Sequence, residues 1–502
     1  MAVEENLFIS SSTDQMVTVW KHLKHRPLHR LSFTVSQQGI GQADKRDMDL
    51  RLLALLLLCL CRQGLTDPTA EDPSTPGHGP ALNASSPNGE DSLEKVEEEV
   101  KDGEGEKESC TAEELSPEAK REVGAAILKL GLQLLENLKT GPEQPNVIIS
   151  PLSVSLALSQ LALGAASETE KLLLQTLKAD DLPCYHQSLR SLLQHLRNST
   201  VKIATRIYLE AGFKVKPEFI QQSLRTYDSE PALLAGREEI NQWVQKATDG
   251  HMTDFLLTLP PNLVLMLINA VHFKGEWVAR FDPALTAKDR FYIDSKNIVD
   301  VDMMVGHKYP LSLLMDGELG AQVASFPFKA NMSLLVVMPM SGKVNVSAIA
   351  AKLNTSDLYA RLPSEKAMQV KLPKFKLEYG QELEDALTSM GLGSLFSAPD
   401  LSGITDSPLV VSSVQHKSSM ELHEEGAEAS AATAVSTTRA NLSFSVNQPF
   451  LFALLDDATQ TPIFLGVIRN PDPGATAMQN DDPERTGRPD HGHSDSSDDL
   501  PK

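Results

Sequence analysis

Glu424-Glu425-Gly426-Ala427-Glu428-Ala429-Ser430-Ala431-Ala432-Thr433-Ala434-Val435-Ser436-Thr437-Thr438-Arg439-Ala440-Asn441-Leu442-Ser443-Phe444 decides how this chain is read. From Gly426 to Ala434 the stretch holds no large apolar side chain, so it cannot anchor a core. It nevertheless lies between two strand-like runs, Leu409–Met420 and Phe450–Leu455, where a short turn would serve. A long insertion inside a compact domain is usually functional. Read with period two, Ala427, Ala429, Ala431, Thr433 and Val435 share one face of a strand. Glu428, Ser430, Ala432, Ala434 and Ser436 share the other. The first face is small and mostly apolar, and the one charge lies opposite. Such a segment is able to stay in water as a loop or to enter a sheet with its small face inward. A slip of one residue would bury Glu428, so the register is specified. Arg439 stands at the far end, a single cation in an uncharged stretch, with Ala440 after it. A low-complexity Ala/Ser linker is the plain alternative.

The flanks read as a mixture of helices and strands. Ser116-Pro117-Glu118 carries a cap and a helix-starting proline, and Val123, Ile127, Leu130, Leu134 and Leu138 follow at spacings of four and three. A second, small-residue helix begins at Ser150-Pro151-Leu152-Ser153 and runs toward Gly164. Val264–Phe273 and Ser333–Met338 are apolar strand candidates, and Gln369–Phe375 alternates with period two until Pro373. Phe450–Leu455 and Pro462–Val467 read as a hairpin joined through Asp456-Asp457. No regular strand–helix–strand rhythm appears, so the expected class is α+β.

Charge separates the body from its ends. The chain of 502 residues has a net charge of −21. Residues 66–115 hold 15 acidic and 3 basic side chains, and 471–502 hold 8 and 3, so most of the acidity lies outside the middle. Both ends read as solvated arms. No basic, aromatic-rich stripe suggests nucleic acid. Leu52–Cys61 is an apolar run of ten residues, too short to span a bilayer, preceded by Arg51 and followed by polar sequence. That is the build of a secretory signal beginning at Met48. The expected organisation is an upstream extension over 1–47, a signal peptide over 48–64, an acidic arm over 65–115, the folded body over 116–473 and an acidic tail over 474–502. Once the signal has gone, Cys110 and Cys184 remain in an oxidising compartment, where a bridge is favoured over two free thiols. Sequons stand at Asn83, Asn198, Asn331, Asn345, Asn354 and Asn441, and glycans are expected at all but the last, which lies beside the Arg439–Ala440 bond.

Several motifs together resemble the serpin family over about 116–473. They are Asn146-Val147-Ile148-Ile149-Ser150-Pro151-Leu152-Ser153 with Leu163-Gly164-Ala165, and Ile240-Asn241-Gln242-Trp243-Val244 with Thr248-Asp249-Gly250. To these are added Asn269-Ala270-Val271-His272-Phe273-Lys274-Gly275-Glu276-Trp277, and Asn447-Gln448-Pro449-Phe450-Leu451-Phe452 with Phe464-Leu465-Gly466. The resemblance implies three β-sheets, eight or nine helices and an exposed reactive-centre loop over about 426–444. It implies a secreted plasma inhibitor, not an enzyme, with no cofactor and no metal, that traps a trypsin-like serine protease, plasmin foremost, at Arg439–Ala440. Gly426, Ala427, Glu428, Ala429, Ser430, Ala431, Ala432, Thr433 and Val435 become the hinge and inserting segment. Ser150, Ser153, Asn269 and His416 become the residues that bridge the central strands where the sheet opens. Lys502, the last residue, fits a ligand for lysine-binding kringles, and a monomer is expected. Two alternatives stay open: complement or contact proteases as targets, and a carrier or signalling role without inhibition.

Overall fold

The computed structural model describes residues 6–11, 16–22, 29–34, 110–111, 115–197, 199–340, 346–427 and 442–480. Two units separate, Met1–Asp102 and Gly103–Lys502. In the first, β1 (Asn6–Ser11), β2 (Met16–His22) and β3 (His29–Thr34) form an antiparallel meander, with Asn6 opposite His22 and Met16 opposite Thr34. The sequence reading assigned no element there. The expected signal peptide lies outside the described residues, as does nearly all of the acidic arm.

The second unit opens with α1 (Pro117–Asn137), β4 (Val147–Ile149), α2 (Pro151–Ala162), α3 (Ser167–Thr176) and α4 (Tyr185–Leu196). Then come β5 (Val201–Leu209), α5 (Pro217–Tyr227), β6 (Ala232–Leu233), α6 (Arg237–Ala247), β7 (Leu265–Lys274), β8 (Ala287–Tyr292) and β9 (Asn297–Asp316). β10 (Ala321–Phe328), β11 (Met332–Pro339), α7 (Val346–Ala350), α8 (Thr355–Arg361), β12 (Lys366–Pro373), β13 (Phe375–Glu382) and α9 (Glu384–Leu387) follow. The last elements are β14 (Val411–Leu422), β15 (Ser443–Ser445), β16 (Phe450–Asp456), β17 (Pro462–Ile468) and β18 (Met478–Gln479).

Local chemistry accounts for the element ends. Ser116 caps α1 by accepting from the Ala119 amide at 3.2 Å, and Ser150 caps α2 by accepting from Ser153 at 3.3 Å. Pro373 ends β12, and the next strand, β13, belongs to the other sheet. The Asp456 carboxylate accepts from the Thr459 amide at 2.9 Å and closes the β16–β17 hairpin.

The body carries two sheets. The smaller runs β13-β14-β7-β5-β6 and the larger β15-β12-β9-β10-β11-β16-β17-β4, with β8 and β18 also on β9. The third expected sheet is not set apart from the larger one, because β9 is 20 residues long and joins two groups of strands. Its residues Ile298–Leu311 pair with β8 and then β12, and Ser312–Asp316 pair with β10. Nine α-helices occur among the described residues, within the expected number. β18 pairs with Asn297–Ile298 and the Asn480 amide donates to Lys296 O at 2.7 Å, so ordered bonding runs past residue 473.

β7 explains its own apolar run. Nine of its ten residues are buried, because α2 covers one face of the small sheet and α6 the other. All twelve residues of α2 are buried too, and its serines and alanines let it lie close to the sheet. Ile240 and Val244 of α6 pack with Tyr208, Met266 and Ile268 in a second, smaller core on the outer face.

Candidate functional site

Residues 423–427 leave the end of β14 and cross onto Trp277, a segment that follows β7. Trp277 N–H donates to Glu425 O at 3.0 Å, and Ala427 N–H returns a bond to Trp277 O at 3.0 Å. Arg280 N–H donates to Ala427 O at 3.0 Å and Phe281 N–H to Glu424 O at 3.1 Å. The Trp277 indole N–H donates to His423 O at 2.6 Å, and its ring stacks on Phe328 at 4.0 Å. Only glycine fits at 426: a Cβ there would lie 2.6 Å from Trp277 O and 2.9 Å from the Trp277 Cβ. Glu424 is held by Lys374 Nζ at 2.9 Å and accepts from Thr286 Oγ1 at 2.8 Å. Burial pushes its carboxyl up, but Lys374 and Thr286 outweigh that and hold it below the usual carboxylate range.

Described structure resumes at Leu442, whose carbonyl accepts from Gln369 N–H at 2.9 Å, and β15 runs parallel to β12. Of the predicted segment, Gly426 and Ala427 are therefore placed. Glu428, Ala429, Ser430, Ala431, Ala432, Thr433, Val435, Arg439 and Ala440 lie outside the described residues, as do Asn83, Asn198, Asn345, Asn441 and Lys502. Asn331 and Asn354 are exposed. Cys110 and Cys184 form a disulfide, with their Cα atoms 6.0 Å apart.

The four residues expected between the central strands come together. β14 and β7 are parallel neighbours, and His416 stands opposite Asn269. The Asn269 Oδ1 receives Ser153 Oγ at 2.7 Å and lies 2.5 Å from His416 Nδ1. Ser150 N–H donates to His416 Nε2 at 3.3 Å, which makes Nε2 the acceptor and puts the ring proton on Nδ1, aimed at Asn269. Burial pushes the His416 pKa down to about 3, so the ring is neutral. Asn269 Nδ2 donates to Ser153 O at 2.6 Å and to Thr205 Oγ1 at 3.2 Å, reaching the third strand, β5. Thr205, Glu424 and Lys374 went unnoticed in the sequence as members of these sites. Their partners are distant along the chain, and no local pattern marks them.

This arrangement offers no nucleophile beside a base; it offers a polar bridge across one strand seam and a clasped segment at the end of that seam. The chain belongs to the serpin family: the family model, described as serpin (serine protease inhibitor), matches residues 125–471. Alpha-2-antiplasmin from Bos taurus is 44% identical over 366 residues, covering 72% of this chain and 74% of the relative. The Mus musculus protein of the same name is 43% identical over 376 residues, covering 73% and 77%. The crystal structure of mouse protein-Z dependent protease inhibitor aligns with a TM-score of 0.64 and 25% identity, covering 72% of this chain and all of that one. The chain is thus a serpin protease inhibitor by family. Among the described residues no helix is long and apolar enough to cross a membrane.

Proposed function

We propose that this chain is a secreted, monomeric, single-use inhibitor of plasmin that presents Arg439 as the bait. The observation that carries the reading is the parallel seam between β7 and β14, with the loop leaving directly from the end of β14. A strand that turned back after β14 and entered the seam would run antiparallel to both neighbours. One parallel pairing would become two antiparallel ones, which are somewhat more stable per residue and bring a new row of main-chain hydrogen bonds. Residues 427–438 would span about 40 Å as a strand, at ~3.3 Å per residue, matching the 12 residues of β14.

The chemistry belongs to the protease. Arg439 enters its specificity pocket and pairs with the aspartate at the base. The protease serine oxygen bonds to the Arg439 carbonyl carbon, the Arg439–Ala440 amide bond breaks, and the leaving amine takes its proton from the catalytic histidine. The freed segment then enters the seam with Ala427, Ala429, Ala431, Thr433 and Val435 inward. His416 and Asn269 part as it passes, and Ser150 and Ser153 support them from α2. The acylated protease is carried away from the geometry it needs to hydrolyse the ester. Lys502 at the end of the acidic tail offers a carboxylate and an ammonium to a kringle, raising the local concentration of the protease. The disulfide and the signal-like run before it support secretion. Plasmin as the target is supported by the alpha-2-antiplasmin relatives.

The test is to mix the protein with plasmin, trypsin, kallikrein and a complement protease and look for an SDS-resistant adduct cut after Arg439. The expected outcome is fastest adduct formation with plasmin. Cleavage that releases active protease without an adduct would overturn the inhibitory reading, and a clear preference for the complement protease would overturn the target.

A further inference from the structure

β5 is the edge of the small sheet for most of its length, since β6 pairs only with Tyr208 and Leu209. Ser229 Oγ donates to Thr205 O at 2.6 Å, so the carbonyls of this parity face off the edge, and Ile203, two residues earlier, faces the same way. Along that open edge runs a cavity of about 350 Å³, within the range of small-molecule sites. Its apolar wall includes Leu156 of α2 and Leu193 and Leu196 of α4. Across the edge it is bounded by Trp243 of α6 and by Arg206.

The charges around this cavity are uneven. Arg197 is paired with Asp228 at 2.5 Å and Lys202 with Asp249 at 2.9 Å. Arg206 has no carboxylate in ion-pair range among the described residues, and its Nε is buried without a hydrogen-bond partner. Its guanidinium lies 4.3 Å from the centre of the Trp243 ring and 5.9 Å from that of Tyr208, whose hydroxyl donates to Glu239 Oε1 at 3.3 Å. A guanidinium fixed by aromatic rings and in no ion pair, at one end of a partly apolar cavity, suits a ligand with a single carboxylate and an apolar body.

We infer that the cavity between β5, α4 and α6 is a binding site for a small amphipathic carboxylate of the medium-chain fatty-acid kind. The carboxylate pairs with the Arg206 guanidinium, and the chain lies against Leu156, Leu193 and Leu196. The site is distinct from the reactive loop and does not depend on which protease the loop meets.

The probe is dodecanoate, with dodecanol as its uncharged counterpart. Calorimetry on the full-length protein should show one dodecanoate per chain, bound at least tenfold tighter than dodecanol. Quenching of Trp243 fluorescence should follow the same curve and vanish in Trp243→Phe, which still binds. Arg206→Gln should weaken dodecanoate at least tenfold and leave dodecanol unchanged, with its melting temperature and adduct formation as in the parent. The inference fails if dodecanol binds as well as dodecanoate to the parent protein, which needs no variant to establish. It fails equally if dodecanoate does not bind at millimolar concentration, or if binding leaves Trp243 unquenched.

Discussion

His416 is the residue whose chemistry is most constrained by its neighbours. Its Nε2 receives an amide proton from Ser150 and its Nδ1 faces the Asn269 oxygen, so a second ring proton would meet another donor. The ring's pKa is about 3 in the folded protein, against about 6.5 in an unfolded chain. Because the folded value is depressed, the unfolded state binds more protons between these limits, and stability falls as pH falls through that window. The expected loss is up to about 1.4 kcal/mol per pH unit. Burial lowers His272 to about 4, and it adds a loss of the same sign over a narrower range. Denaturant titrations from pH 7 to pH 4 should show His416→Gln less stable at pH 7 but with a shallower pH slope; an unchanged slope would refute the assignment. Arg439→Ala should lower the rate of plasmin adduct formation on the order of 100-fold or more, because the protease's buried carboxylate loses its partner. Stopped assays of residual plasmin activity would measure it, and a change below threefold would remove Arg439 from its role.

Elements were legible where one surface decides them. The stripe Val123, Ile127, Leu130 and Leu134 is buried along α1 as the spacing requires, and the β16–β17 hairpin stands where its two apolar runs lie. The long run of β7 was legible as a strand, but its cover was not: that α2 and α6 lie on opposite faces depends on contacts between distant segments. The joining of two strand groups through one strand was not legible for a similar reason. Nothing in the sequence of β9 announces that one continuous strand will pair with β8 and β12 first and β10 later. The quartet of Ser150, Ser153, Asn269 and His416 was legible only through family likeness, whereas its bonding to Thr205 required the register of β5 against β7. Ala431→Arg would carry a charge into the inward face of the new strand, so the variant should be cleaved by plasmin and release it. Adduct yield on gels is the readout, and a yield equal to the parent's would contradict insertion in this register.

Across the whole molecule, the Cys110–Cys184 bridge spans 74 residues of sequence and ties the end of the arm to the start of α4. Closing a loop of that length restricts the unfolded chain and contributes roughly 4 kcal/mol by the loop-entropy model. The paired replacement Cys110→Ser with Cys184→Ser should therefore lower the melting temperature, and an unchanged value would mean that the bridge does not restrain the body. Removing Lys502 should slow adduct formation moderately with full-length plasmin and leave the rate unchanged with plasmin lacking its kringles; equal slowing with both would rule out the tether.

The main-chain bonds between Glu424–Ala427 and Trp277–Phe281 would have a kinetic meaning for the proposed insertion. If the segment after Ala427 enters the seam as proposed, the bonds beyond the turn would have to be undone first. They would then raise the barrier to entry without adding anything to the stability of the product. A change at Gly426 or Trp277 should accordingly alter how long an unused molecule waits in its active form, while the melting point of the spent, cleaved form stays where it was.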